Sequence, residues 1–215
     1  MSIRERKERE KEQRRNDIIN AAEKLFFSRG YDSVSMDEIA NHAEVSKGTL
    51  FVYFKNKESL FFSVVLRGAR LLNAMIEKNI KSCEAGLEVL DTIASTYFEF
   101  VSKYSEYHRA YLYFRSGRFD IENNENLSEY ANEILRLRQE TFIITCNAIR
   151  SGMREGTLRP DLDPEEVAIF LTMILKGLTE MRPDLRKALE CRSISQKQFF
   201  SDVANYVHLM IKNTG

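Results

Sequence analysis

Four small, polar or basic residues follow one another at the predicted start of a short helix: Ser46, Lys47, Gly48 and Thr49. Lys47 can donate hydrogen bonds to guanine acceptors or to phosphate, and Thr49 offers a hydroxyl and a methyl group that suit a thymine edge. Gly48 allows a close approach of the backbone. A helix that enters the major groove of DNA needs such residues in its first turn. The run therefore indicates a surface that reads bases.

Two short helices position this run. Ser35 and Glu38 have the S-x-x-E spacing of a capping box, which predicts the start of a two-turn helix. Ser46 can cap a second short helix, in which Leu50 and Phe54 face inward. Two short helices that follow a longer packing helix and are joined by a turn of three to four residues form a helix-turn-helix pattern.

The chain leaves this second helix through Tyr53, Lys55 and Lys57, which we expect to contact phosphates and so to position the domain without reading sequence. The alternative is that Ser35 and Ser46 are ordinary helix caps and that the lysines are solvated surface; spacing alone leaves the two interpretations about even. The predicted DNA-contacting residues are Ser35, Ser46, Lys47, Gly48, Thr49, Tyr53, Lys55 and Lys57.

The wider sequence carries a family likeness. It reads SMDEIA at 35–40 and AEVSKGTLFVYFKNKESL at 43–60. This run resembles the DNA-binding domain of TetR-family (tetracycline-repressor-like) transcriptional regulators, and the resemblance extends over about residues 12–72. It implies a homodimeric, usually repressive regulator that a small-molecule inducer releases from a palindromic DNA operator. The EGTLRPD run at 155–161 is a weaker match to the same family.

Two positions depart from the family pattern. Glu44 stands in the turn where the family often has glycine, and a non-glycine residue forced to positive φ there costs on the order of 1 kcal/mol. Phe51 stands where the family usually has tyrosine, so a hydroxyl that could contact phosphate is missing. We therefore leave Phe51 out of the predicted DNA contacts.

The fold class predicted for the 215 residues is all-α. Prolines number only three, and apolar residues recur at helical spacing. We expect a three-helix helix-turn-helix domain at residues 1–57 and a larger helical domain at 58–215 for effector binding and dimerisation. The longer helices are predicted at about 4–29, 57–81, 86–104, 106–116, 127–155, 164–181 and 195–212, with a loop at 117–126.

The C-terminal part offers candidates for two further roles. Aromatic residues cluster between 97 and 119, where core packing competes with the lining of an effector pocket. His108 is interpreted as a surface or capping residue. The candidate ligand-binding residues are Tyr97, Phe100, Tyr104, Tyr111, Phe114 and Phe142. The candidate dimer-interface residues, on apolar stripes that could equally be buried within one chain, are Phe170, Ile174, Gly177, Leu178, Phe199, Val203, Tyr206 and Met210.

Charge is balanced overall at 32 basic and 32 acidic residues, but residues 1–15 hold seven basic side chains against four acidic ones. This segment predicts either a solvated helix with offset charges or an extension that contacts phosphate. Its basic members are Arg4, Arg6, Lys7, Arg9, Lys11, Arg14 and Arg15.

Other function classes find little support in the sequence. No Gly-rich phosphate loop, H-E-x-x-H, C-x-x-C or nucleophile-elbow motif occurs, and the three cysteines are widely separated. We expect no enzymatic activity, no cofactor, no metal and no membrane partner, and a cytoplasmic location. A helical protein-interaction module remains a rival, which sequence-selective DNA binding would exclude.

Overall fold

The structure is a computed structural model that describes residues 2–121 and 128–213. These residues form ten α-helices and no β-strand, which confirms the all-α prediction. The helices are α1 (Ile3–Arg29), α2 (Met36–His42), α3 (Lys47–Tyr53), α4 (Lys57–Ile80), α5 (Gly86–Lys103), α6 (Ser105–Phe114), α7 (Glu129–Arg154), α8 (Pro164–Thr179), α9 (Pro183–Glu190) and α10 (Gln196–Ile211).

The predicted helices agree with the observed ones to within two residues at each end, but α9 was not predicted. It begins with Pro183, buries none of its residues and spans only about two turns, so its apolar residues Leu185, Ala188 and Leu189 are too few to establish a helical period in the sequence. The predicted loop at 117–126 is non-helical up to residue 121, and its remainder lies outside the described residues.

The first of two compact units consists of Met1–Leu71 and Tyr104–Leu137. Its core joins α1 to α2, α3, the first part of α4, α6 and the first part of α7. Aromatic rings dominate its centre: Phe62 meets Phe114 edge to face at 5.0 Å between centroids, and Phe26 meets Phe61 in the same way at 5.4 Å. This rigid packing holds the two short helices from behind.

The second compact unit consists of Leu72–Lys103 and Arg138–Gly215. Its core contains Leu90 of α5, Ile149 of α7, Leu158, and Val167 of α8. The chain end is fastened beside Leu158, which forms an isolated antiparallel bridge with Lys212.

The compact units do not follow the predicted boundary at residue 57, because the helix-turn-helix shares its core with α6 and with part of α4. The functional division into 1–57 and 58–215 therefore stays a prediction. Within the described residues α4 is the one helix long and apolar enough to cross a membrane. Over half of its most apolar window is buried inside the protein, as in a core helix.

Candidate nucleic-acid interface

The first short helix begins as its capping box predicts. The hydroxyl oxygen of Ser35 accepts a hydrogen bond from the backbone N–H of Glu38 at 3.2 Å, and the Glu38 carboxylate accepts from the N–H of Ser35 at 2.8 Å. Arg29 at the end of α1 also donates to Glu38, at 2.7 Å. These bonds, the one from the Ser35 backbone first, lower the pKa of Glu38 to about 2. The start of α2 is thereby tied to the end of α1.

The turn between the two short helices has the strained backbone that the departure from the family pattern suggests. Glu44 adopts a φ of 54°, in the left-handed region. The next residue, Val45, donates its N–H to the carbonyl of Ala40 at 3.0 Å, which closes the turn and fixes where α3 begins.

We expect Glu44→Gly to stabilise the protein by about 0.5–1 kcal/mol, because glycine removes the strain of positive φ and loses only part of that gain to its more flexible unfolded chain. Thermal unfolding followed by circular dichroism measures the change. The control is Ala74→Gly, at an exposed interior position of α4, which should cost about 1 kcal/mol. A Glu44→Gly variant that is destabilised as much as the control would contradict the prediction.

The predicted DNA-reading segment forms the helix α3, and its first turn is exposed. The hydroxyl oxygen of Ser46 accepts the backbone N–H of Thr49 at 3.0 Å and lies 2.8 Å from the Thr49 hydroxyl. Ser46, Lys47 and Gly48 are exposed, whereas Leu50 is fully buried and anchors the helix. Solvent therefore reaches the first turn of α3, as entry into a groove requires.

The polar and charged residues around α3 differ in their contacts with the rest of the protein. The Lys47 ammonium pairs with Asp37 at 2.7 Å, but both side chains are largely exposed, so the pair is weak and Lys47 remains available to a stronger anion. Lys55 is exposed, and Tyr53 is half-buried against the core.

Lys57 has a structural role that the sequence did not reveal. Its ammonium donates to the carbonyls of Tyr31 and Val34, each at 2.9 Å, and lies 4.2 Å from the centre of the Tyr31 ring. Two of its three N–H donors and one aromatic contact thus hold the connection between α1 and α2. A contact between Lys57 and phosphate stays a prediction, and only the third N–H of the ammonium is left to make it.

The structure adds two residues to the exposed face of α3. Val52 is 80 % exposed and Phe51 is 43 % exposed, so both apolar side chains face solvent beside the polar tip. Apolar side chains on a groove-facing helix suit the methyl groups of thymine. The signal was present in the sequence: if Leu50 and Phe54 face inward, helical geometry turns the two residues between them outward.

The candidate ligand-binding residues are divided between the two units. Tyr111 and Phe114 pack in the first core, Phe142 packs against the second, and Phe100 is buried. Their role in ligand binding stays a prediction, as do those of Tyr97 and Tyr104. His108 is buried rather than at the surface, which corrects the sequence interpretation, and burial lowers its pKa.

The candidate dimer-interface residues differ in how far their own chain covers them, and their role in an interface stays a prediction. Leu178 is buried, and Ile174 and Val203 pack against the second core of their own chain. Both faces of α8 carry apolar residues, and only part of them is covered by the chain itself. Phe170 and Phe199 are half-buried, while Gly177, Tyr206 and Met210 are exposed. The structure adds exposed Ile169, Met173 and Leu209, which with those three form what we call the outward stripe.

The helix α3 is capped by Ser46, is exposed at its first turn, and is anchored through Leu50 in a core shared with α1 and α2. This arrangement defines a helix-turn-helix DNA-binding protein of the transcription-regulator class. Residues 18–64 match the family model for "Bacterial regulatory proteins, tetR family", so this part of the chain is a DNA-binding domain of the TetR type.

Individual relatives are distant but extend beyond the DNA-binding domain. The uncharacterised HTH-type transcriptional regulator YhgD of Bacillus subtilis is 27 % identical over 75 % of this chain and 80 % of its own length. The fatty acid metabolism regulator protein of the same bacterium is 27 % identical over 68 % of this chain and 71 % of its own. The crystal structure of AibR in complex with isovaleryl coenzyme A and operator DNA has a TM-score of 0.67 at 20 % identity, and covers 90 % of this chain and 97 % of that one.

Proposed function

We propose that this protein is a ligand-responsive repressor, which binds a palindromic operator as a homodimer in the cytoplasm and leaves it when a small molecule binds. The observation that carries the proposal is the first turn of α3, where exposed Ser46, Lys47 and Gly48 stand on a helix fixed from behind by Leu50. Base edges in the major groove offer the donors and acceptors that these residues match. Ser35, Tyr53, Lys55 and Lys57 are proposed to contact the backbone.

A homodimer follows from the geometry of such sites. Two recognition helices read two half-sites about 34–36 Å apart, so a palindrome pairs with a twofold-symmetric protein. The outward stripe of α8 and α10 supplies apolar surface for that contact, and a Cβ built on Gly177 meets nothing within 4 Å, which leaves room for a neighbouring helix. Met173 is two-thirds exposed in the single chain, so its burial against a second copy would remove much apolar surface from water and stabilise the dimer.

The effector is proposed to be a small molecule with an apolar part. Two similar proteins are named for fatty acid metabolism and for a complex with isovaleryl coenzyme A, which makes that thioester a reasonable first probe. Release requires the effector to bind one conformation more tightly than the other. We propose that α4, which contributes residues to both compact units, tilts between these conformations and changes the spacing of the two recognition helices.

The test is selection of bound genomic fragments, a search among them for a palindrome, and gel-shift titration of the site with two variants. Lys47→Ala should relax the preference at particular base pairs, at a cost of about 1–3 kcal/mol for the preferred base. The control Lys55→Ala should weaken binding uniformly across sequences, because a phosphate contact carries no base information. Recovery of fragments that share no sequence would contradict the function, and equal effects of both variants would contradict base reading by α3.

A further inference from the structure

The first helix begins well before the core that it supports. The first buried residue of α1 is Ile18, so residues 3–17 extend the helix by about 22 Å at 1.5 Å per residue. The extension is anchored at its start by a capping box, in which Glu5 accepts from the backbone N–H of Ser2 at 2.8 Å. Within the extension only Arg15 and Asn16 are half-buried, and the other side chains are exposed.

Four basic residues of the extension share one face. Arg4, Lys7, Lys11 and Arg14 are spaced by three, four and three positions, which places them in one row along a helix. The row continues in phase into Ile18, four residues after Arg14, and therefore runs along the side of α1 that faces the core. We call these four residues the N-terminal stripe.

Two further cations of the extension are already engaged in ion pairs. Arg6 pairs with Glu10 at 2.9 Å, on a different face. Arg15 pairs with Glu12 at 3.4 Å and also donates to the Tyr130 hydroxyl at 3.1 Å. Across residues 2–121 and 128–213, by contrast, none of the four stripe residues forms an ion pair. The stripe thus holds four cations that are free of ion pairs within the described residues.

One member of the stripe, Lys11, lies next to α3. Lys11 lines a cleft of about 490 Å³ whose opposite wall contains Val52 and Tyr53 of α3. Glu8 and Glu12 also line this cleft, which sets an acidic row beside the basic one. A duplex seated on the exposed tip of α3 would therefore have the extension beside it.

We propose that the N-terminal stripe is a second DNA contact, which binds the phosphate backbone next to the base pairs read by α3 and carries no sequence information. The proposal rests on the proposed function, because α3 places the duplex. From Arg4 to Arg14 the stripe is about 15 Å long, which matches four to five phosphates at 3.4 Å of axial rise per strand. Ammonium and guanidinium groups without partners release counterions when they meet phosphates, so the contact predicts a strong dependence on salt.

The test neutralises the stripe in the full-length protein with R4Q/K7Q/K11Q/R14Q, in which glutamine keeps the helix propensity. Binding to the selected operator and to a scrambled duplex of equal length is measured by fluorescence anisotropy at several salt concentrations. For the variant we expect the slope of log affinity against log salt to fall by about 3–4, at about 0.9 per lost phosphate contact. The ratio of operator to scrambled affinity should stay as in the wild type.

The matched control is K78Q/K81Q/R186Q/K187Q, which removes the same net charge from exposed positions of the second unit. Its salt slope should equal that of the wild type. Equal slopes for the stripe variant and the wild type, or equal losses in both variants, would overturn the inference. A wild-type protein that does not distinguish operator from scrambled DNA would instead overturn the proposed function, because selectivity does not depend on the stripe.

Discussion

The double variant Met173→Asp and Leu209→Asp is expected to be monomeric at micromolar concentration and to bind the operator at least about 100-fold more weakly than the wild type. Both side chains belong to the outward stripe and are 67 % and 76 % exposed in the single chain. A contact between two copies would remove them from water, and a carboxylate there has to be buried without a partner, at a cost of several kcal/mol. Without the second copy only one half-site can be bound, which removes most of the affinity for a palindrome.

Light scattering after size-exclusion chromatography gives the oligomeric state, and gel-shift titration gives the affinity. The control is Leu185→Asp, which replaces an apolar side chain that is 52 % exposed but lies on α9 and outside the stripe. We expect the control to remain dimeric and to bind as the wild type does. A double variant that stays dimeric would show that the copies meet elsewhere.

The second large effect is expected from Gly86→Ala, which should destabilise the protein by about 3 kcal/mol. A Cβ at this position would lie 2.2 Å from the carbonyl oxygen of Ala148 and 2.4 Å from the backbone nitrogen of Gly152. Both obstacles are backbone atoms of α7, so relief requires moving α5 away from α7 and loosening the second core. The Gly86 N–H, which donates to the Glu155 carboxylate at 3.0 Å, would be displaced as well.

For a chain of this size the loss corresponds to a fall of roughly 6–12 °C in Tm, measured by calorimetry or circular dichroism. Gly48→Ala is the control, since a Cβ there meets only the Ser46 hydroxyl at 3.8 Å. Alanine is the better helix former, so this variant should gain about 0.5–1 kcal/mol. A Gly86→Ala protein as stable as the wild type would mean that α5 and α7 are further apart than the structure has them.

Local features of the fold were predictable from the sequence because their causes are local. The caps formed by Ser35 and Ser46 depend on residues three positions away, and helical periods follow from neighbouring side chains. The positive φ of Glu44 followed from comparison of one turn position with the family pattern. These features also define where α3 begins and which of its residues are exposed, so both could be predicted from the sequence, while the DNA contacts stay a prediction.

Features that depend on residues far away in the chain could not be predicted from the sequence. Lys57 looks like a surface lysine until the carbonyls of Tyr31 and Val34, more than 20 residues earlier, are placed beside it. The EGTLRPD run has a similar explanation, because Glu155 receives the N–H of Gly86, 69 residues away, and Leu158 is buried in the second core. Apolar spacing could not tell which face of α8 its own chain covers, since both faces carry the same kind of residue.

Because α3 is anchored in the core by a single buried residue, its sequence can change during evolution at little cost in stability. Of its seven residues only Leu50 is buried, so the outward positions contribute little to folding stability. Mutations at Lys47, Phe51 or Val52 can therefore accumulate without unfolding the domain. Duplicated copies of the gene could acquire new target sites quickly while they keep an unchanged scaffold.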